Sequence, residues 1–207
     1  MTPDAFVEQF KATRASAILR THDTQLARQA MEAAVVGGFR IIEFTLSIPG
    51  VFELIEEFSA REELIVGAGT VLTVDDAQRA VDAGARFLVS PVVDEAVIEQ
   101  AASLGVAAMP GCATPTEMLR AHRAGAQLQK LFPEQGVGPA WVKQTLGPLP
   151  FLNIVPTAGT GLENAADYLQ AGAAAIGFVN TLFSPADIAN QDWNAITERA
   201  AQMLKAV

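Results

Sequence analysis

The chain is predicted to fold as an α/β protein, a closed (β/α)8 barrel preceded by one extra helix, on three observations. Helix-like segments repeatedly end in a small residue and a glycine, and an apolar strand starts two or three residues later. The marker glycines are Gly38, Gly84, Gly105, Gly125 and Gly172. They fall at two, one, one and two multiples of a period of roughly 20–24 residues, room for one strand, one helix and two short loops. Finally, no Gly-x-Gly-x-x-Gly follows the first strand, which runs Ala17-Ile18-Leu19-Arg20-Thr21-His22, so the doubly wound open sheet lacks its usual mark.

Eight apolar segments read as strands: 16–19, 41–45, 65–69, 87–90, 107–110, 128–131, 151–155 and 174–177. Helical patterns lie between them, over 24–36, 51–58, 74–83, 95–103, 116–124 and 161–171. Thr114-Pro115-Thr116-Glu117 and Ser184-Pro185-Ala186-Asp187 carry the capping residue and early proline of a helix start. Residues 3–14 form the extra helix, placed to close the bottom of the barrel. The whole chain, 1–207, is read as one domain, with no linker or low-complexity segment.

Composition narrows the function. Half of the 207 residues are apolar and 18% are charged, as in a globular protein with a sizeable core. A net charge of −9 argues against nucleic acid and an anionic membrane surface as partners. The single cysteine, Cys112, allows no internal disulfide, and the start Met1-Thr2-Pro3-Asp4 lacks a signal peptide's basic and apolar segments. A cytoplasmic location is expected. Two isolated histidines, His22 and His122, suggest no metal site. His122 is expected at the surface, Cys112 as a packed residue, and Trp141 and Trp193 as packing or interface residues.

Lys130 carries the most chemical information. The chain has four lysines, Lys11, Lys130, Lys143 and Lys205, and only Lys130 sits inside an apolar strand. A buried ammonium must be paired or give up its proton, and an uncharged lysine attacks ketones to form a Schiff base. Glu43 is the matching anomaly, midway along Ile41-Ile42-Glu43-Phe44-Thr45-Leu46. Alternate residues of a strand share a face, so Glu43 with Thr45, and Lys130 with Phe132, can both point into the barrel near its top. A buried ion pair without chemistry is the competing reading. Active sites of such barrels lie at the carboxyl ends of the strands. Those positions here hold Arg20, Thr45, Gly69-Thr70, Ser90-Pro91, Pro110-Gly111-Cys112, Phe132, Pro156-Thr157-Ala158-Gly159-Thr160 and Gly177-Phe178-Val179-Asn180.

At these segments the chain resembles the class I 2-keto-3-deoxy-6-phosphogluconate and 4-hydroxy-2-oxoglutarate aldolases, with the galactonate branch related. The resemblance rests on six ordered motifs: Glu43-Phe44-Thr45-Leu46, Val66-Gly67-Ala68-Gly69-Thr70-Val71-Leu72, Phe87-Leu88-Val89-Ser90-Pro91, Pro110-Gly111, Lys130-Leu131-Phe132-Pro133 and Pro156-Thr157. It implies a homotrimer without metal or organic cofactor, acting on a 2-keto acid and releasing pyruvate. By position, Lys130 resembles the Schiff-base lysine and Glu43 the general acid/base. Arg20, Thr45, Thr70, Pro91, Phe132 and Thr157 match substrate-binding positions, and Ala158, Gly159, Gly177 and Phe178 match the phosphate loops.

The departures bear on the substrate. Ser47 stands where the gluconate branch has arginine, and Arg20 takes the place that an arginine holds in the galactonate branch. The family's Pro-Thr-Gly-Gly is Pro156-Thr157-Ala158-Gly159, and its Gly-Gly-Ser is Gly177-Phe178-Val179. Alanine resists positive φ and valine offers no hydroxyl donor, so weakened phosphate binding is expected. Two other classes stay open: a barrel isomerase or synthase using Lys130 as general acid without an imine, and a non-catalytic keto-acid-binding barrel.

Overall fold

The computed structural model describes residues 1–133, 136 and 138–207. Its strands are β1 (Ala15–Leu19), β2 (Ile41–Thr45), β3 (Ile65–Gly69), β4 (Phe87–Ser90), β5 (Ala107–Cys112), β6 (Gln129–Leu131), β7 (Ile154–Pro156) and β8 (Ile176–Phe178). The helices are α1 (Pro3–Thr13), α2 (Thr24–Val36), α3 (Val51–Ser59), α4 (Val74–Asp82), α5 (Glu95–Ser103), α6 (Pro115–Arg123), α7 (Gly138–Leu146), α8 (Ala165–Gln170), α9 (Pro185–Asn190) and α10 (Trp193–Lys205). All pairings are parallel, in the order β7-β6-β5-β4-β3-β2-β1-β8. The Ala174 N–H donates to the Ile154 carbonyl at 2.8 Å across the β7–β8 seam, leaving a nearly closed barrel. The predicted fold class therefore holds, and the five marker glycines all take positive φ, from 71° at Gly105 to 116° at Gly38.

Alternation along the strands divides the core into two shells. Ile42, Phe44, Val66, Leu88 and their neighbours face outward under the helices. Ile41, Phe87, Val89, Met109, Leu128 and Val155 face inward, where Phe6, Val7 and Phe10 of α1 plug the amino end of the barrel. Phe6 stacks on Phe87 with ring centroids 4.6 Å apart. Each such ring stabilises the fold by about 1.5–3 kcal/mol through burial alone. Gly67 makes the plug possible, since a Cβ there would lie within the Phe87 ring. With the lower half filled by hydrocarbon, the polar inward residues are left to the upper half.

Two boundaries differ from expectation by three residues or more. β7 starts at Ile154 rather than 151, because the chain turns first: the Leu152 N–H donates to the Leu149 carbonyl, and Phe151 stays 48% exposed against the His122 ring. α8 starts at Ala165 rather than 161. Asn164 accepts from the Gly161 N–H and donates to the Gly159 carbonyl, so its side chain satisfies backbone groups that a helix would otherwise use. Trp141 and Trp193 pack, half-buried, on the outer shell, and His122 is exposed, as expected.

Candidate active site

Each polar residue at the top of the barrel is placed by its strand. Lys130 lies at the centre of β6, opposite Gly111 of β5 and Val155 of β7, and is 8% exposed. Its Nζ stands 5.2 Å from the centroid of the Phe132 ring. Glu43 lies at the centre of β2, between Ile18 of β1 and Gly67 of β3, and is 1% exposed. Among the described residues neither carboxyl oxygen of Glu43 has a hydrogen-bond partner, and no ion pair joins it to Lys130. The two groups attract one another through space but do not meet as a contact ion pair.

Burial dominates the electrostatics of both groups. It pushes the Glu43 carboxyl above its ordinary value, against the pull of Lys130 and Arg20. Burial likewise pushes Lys130 below its ordinary value, with Glu43 opposing and Arg20 adding to the depression. Each partner is therefore driven toward its neutral form: a free amine and a protonated carboxyl. A free amine is the nucleophile that imine formation requires, and a buried acid beside it is a proton source.

Above Lys130 opens a cavity of about 350 Å³. Of the residues expected to bind substrate, Arg20, Thr45, Phe132, Thr157, Ala158 and Gly159 line it. Its walls hold one fixed cation, Arg20, beside a lysine driven toward its neutral form, and no carboxylate among the described residues, so it favours an anion although the whole chain is acidic. Thr70 lies outside the wall but is tied to it, because Arg20 Nη2 donates to Thr70 Oγ1 at 3.3 Å. Thr70 also has a φ of 62°, a costly conformation for a β-branched residue. The backbone around it is pinned, with the Val71 N–H donating to the Val89 carbonyl and Ser90 Oγ to the Val71 carbonyl.

Three expectations need correction. Phe178 does not reach the cavity: it is 0% exposed and packs edge-on against Phe39, 6.1 Å between centroids, in the outer shell. Gly177 and Pro91 stand behind or beside the lining residues rather than among them. A Cβ on Gly177 would meet Ile18 Cδ1 at 2.6 Å and Thr157 Cγ2 at 2.7 Å, and the Pro91 backbone fills the space beside Gly111. Finally, Ala158 carries no left-handed strain; the positive φ in that loop, 68°, falls on Gly159.

Ile18, Thr160, Val179, Asn180 and Thr181 complete the wall. Thr160, Val179 and Asn180 lie at the strand-end positions that the sequence marks, though without an assigned role, whereas Ile18 and Thr181 were missed; extending the strand-end rule by one residue would have found Thr181. Thr160 Oγ1 donates to the Gly177 carbonyl at 2.7 Å and Thr181 Oγ1 to the Thr160 carbonyl at 2.5 Å, so these hydroxyls stitch the two upper loops together. Cys112 is buried with its thiol pushed up to about 12, which removes it as a nucleophile. Among the described residues no cluster of three or more His, Cys, Asp or Glu could hold a metal ion, and no helix is long and apolar enough to cross a membrane.

A (β/α)8 barrel whose upper cavity ends on a desolvated lysine beside a buried carboxyl is the architecture of a carbon–carbon lyase working through a lysine imine. The sequence model of the KDPG and KHG aldolase family matches residues 7–199, and the chain belongs to that family. It is 39% identical over 172 residues to a probable 2-dehydro-3-deoxy-6-phosphogalactonate aldolase of Rhizobium meliloti (strain 1021), spanning 82% of this chain and 81% of that one. The KDPG aldolase of Legionella pneumophila, solved with pyruvate captured as a covalent carbinolamine, superposes with a TM-score of 0.85 at 26% identity, covering 95% of this chain and 97% of that one. A chain in a cube-shaped cage designed by fusing symmetric oligomeric domains superposes with a TM-score of 0.85 at 30% identity, over 93% of this chain and 71% of that one. The protein is an aldolase, and family membership favours imine chemistry over the isomerase or synthase and over a non-catalytic barrel.

Proposed function

We propose that this aldolase cleaves 4-hydroxy-2-oxo acids through an imine on Lys130. Its substrates are 2-keto-3-deoxy-6-phosphogluconate or its galactonate epimer, and 4-hydroxy-2-oxoglutarate. The products are pyruvate and glyceraldehyde 3-phosphate or glyoxylate. The observation that carries this reading is the desolvated Lys130 beside an unpaired Glu43 under an anion-favouring cavity. Lys130 Nζ attacks the C2 ketone, and Glu43, protonated at rest, gives its proton to the carbinolamine hydroxyl, which leaves as water; a protonated imine that withdraws electrons from C3 then faces a Glu43 carboxylate. Glu43 removes the C4 hydroxyl proton, the C3–C4 bond breaks, and the aldehyde leaves. Glu43 then returns a proton to C3 of the enamine, and water hydrolyses the imine to pyruvate and the free lysine, its surplus proton going back to Glu43. Arg20, held by Thr70, takes the substrate carboxylate in place of the arginine absent at Ser47. Phe132 packs against the ketone end, and Thr45 and Thr157 meet the hydroxyls.

The far end of the cavity sets the phosphate preference. Val179 lines it where a serine hydroxyl would serve, and the hydroxyl hydrogens of Thr160 and Thr181 are already used between the loops. Backbone N–H groups of the two loops and the Asn180 amide remain to receive a phosphate. Losing one or two charge-assisted contacts, at roughly 1.5–3 kcal/mol each, lowers the preference for a phosphorylated substrate by about tenfold to about 10⁴-fold. The expected result is broad activity. A kcat/KM for the phosphogluconate-derived substrate more than about 10⁴ times that for 4-hydroxy-2-oxoglutarate would show that these loops bind phosphate fully without the missing donor.

The active unit is a trimer of single-domain chains in the cytoplasm. Leu72 and Val74 follow β3 and Val92 follows the adjacent β4, and all three are exposed, an apolar rim suited to a second copy. The related chain in the symmetric cage supports self-association. Light scattering should give about three times the chain mass of 21.8 kDa. A monomer at working concentration contradicts the assembly.

A further inference from the structure

We propose that Gly69 is a positioning residue for the Glu43 carboxylate: β3 omits a side chain there so that the carboxylate can lie flat against its backbone. This inference rests on the imine reading for its kinetic arm, but its geometry stands by itself. Gly69 is paired with Thr45 at the top of β3, one pleat above the Gly67 that faces Glu43 across the ladder. A Cβ on Gly69 would overlap Glu43 Oε1 and lie 2.8 Å from Cδ and 3.1 Å from Cγ, the three nearest atoms to it. Gly69 is not among the positive-φ glycines, so its backbone does not demand glycine. What demands it is Glu43. Among the described residues nothing hydrogen-bonds the Glu43 carboxyl group, so the shape of the wall behind it is what fixes its direction. The other inward glycines serve other neighbours: Gly67 clears the Phe87 ring, and Gly177 clears Ile18 and Thr157.

A methyl at position 69 pushes the carboxylate by about an ångström, a displacement that can cost about 10²-fold in a proton-transfer step. Lys130 is not displaced, because it reaches the cavity from β6 on the other side of the ring. The test is a cycle of Gly69→Ala and Glu43→Ala, singly and together. The readouts are the melting temperature, the rate of borohydride-trappable imine formation with pyruvate, and deuterium exchange into the pyruvate methyl group. Gly69→Ala is expected to form imine within about threefold of the parent rate but to lose about 10²-fold in exchange. It should also melt several degrees lower. With Glu43→Ala present, the same methyl should cost neither exchange nor stability, because the space it needs has been vacated. Equal losses in imine formation and exchange, unchanged exchange, or the same melting penalty with and without Glu43 would each overturn the proposal. Should Gly69→Ala fail to fold, the double variant must fold, and its failure to do so also overturns it. If the parent traps no pyruvate, the imine reading falls, and the melting temperatures still decide whether Gly69 seats Glu43.

Discussion

Borohydride reduction in the presence of pyruvate should add one reduced pyruvyl unit to the protein, located on Lys130, and Lys130→Ala should abolish both the adduct and turnover. The other three lysines are not competitors: Lys11 pairs with Glu8 at 3.4 Å on the surface of α1, Lys143 is exposed on α7, and Lys205 ends α10. None lines the upper cavity. Lys130 alone combines access to that cavity with a burial that favours the free amine. Loss of the nucleophile removes the electron sink altogether, so the expected fall is to background rather than by a partial factor. Intact-mass analysis followed by peptide mapping reads the result. No mass gain, an adduct elsewhere, or residual cleavage in Lys130→Ala near the parent rate would sink the assignment.

Most of the barrel could be read from the residues because its punctuation is local. Gly38, Gly84, Gly105, Gly125 and Gly172 mark helix ends by backbone conformation, which depends on little beyond the residue itself. The inward direction of Glu43 and Lys130 followed from the two-residue strand period and an apolar context on either side. What could not be read depends on contacts between distant strands. The direction of Phe178 is set by a partner on another element, Phe39, and position in a motif alone points it wrongly into the phosphate loop. Ala158 looked strained because the family pattern has glycine there, yet the turn is carried by Gly159. The left-handed Thr70 and its bond to Arg20 join residues fifty positions apart, and no local pattern announces either. Gly69 was part of a recognisable motif, but the reason for a glycine there emerges only when Glu43 is seen against it.

Replacing Glu43 with Gln should cut cleavage by two to four orders of magnitude, the usual scale for losing acid–base help, while the pyruvate imine still forms on Lys130. A near-normal rate would mean that another group moves the proton. The same substitution should stabilise the fold, because the parent holds an unpartnered carboxyl in the barrel interior. The pH dependence separates this effect from a packing change. Burial raises the folded carboxyl above its ordinary value near 4.5. Below that ordinary value the group is protonated in both states and costs nothing. As pH rises from there toward the raised folded value, the unfolded chain has given up its proton while the folded chain keeps it, so the parent loses stability. Gln has no proton to lose. The melting-temperature advantage of the variant should therefore be small in acid and grow as pH rises through that window, reaching about 1–3 kcal/mol once the carboxyl would have to ionise. Lys130 does not cancel the gain, since its own burial favours the neutral amine and no buried ammonium is left unpaired by the change. An advantage that is flat with pH, or a variant less stable than the parent at neutral pH, would show that the Glu43 carboxylate is stabilised in the folded state instead.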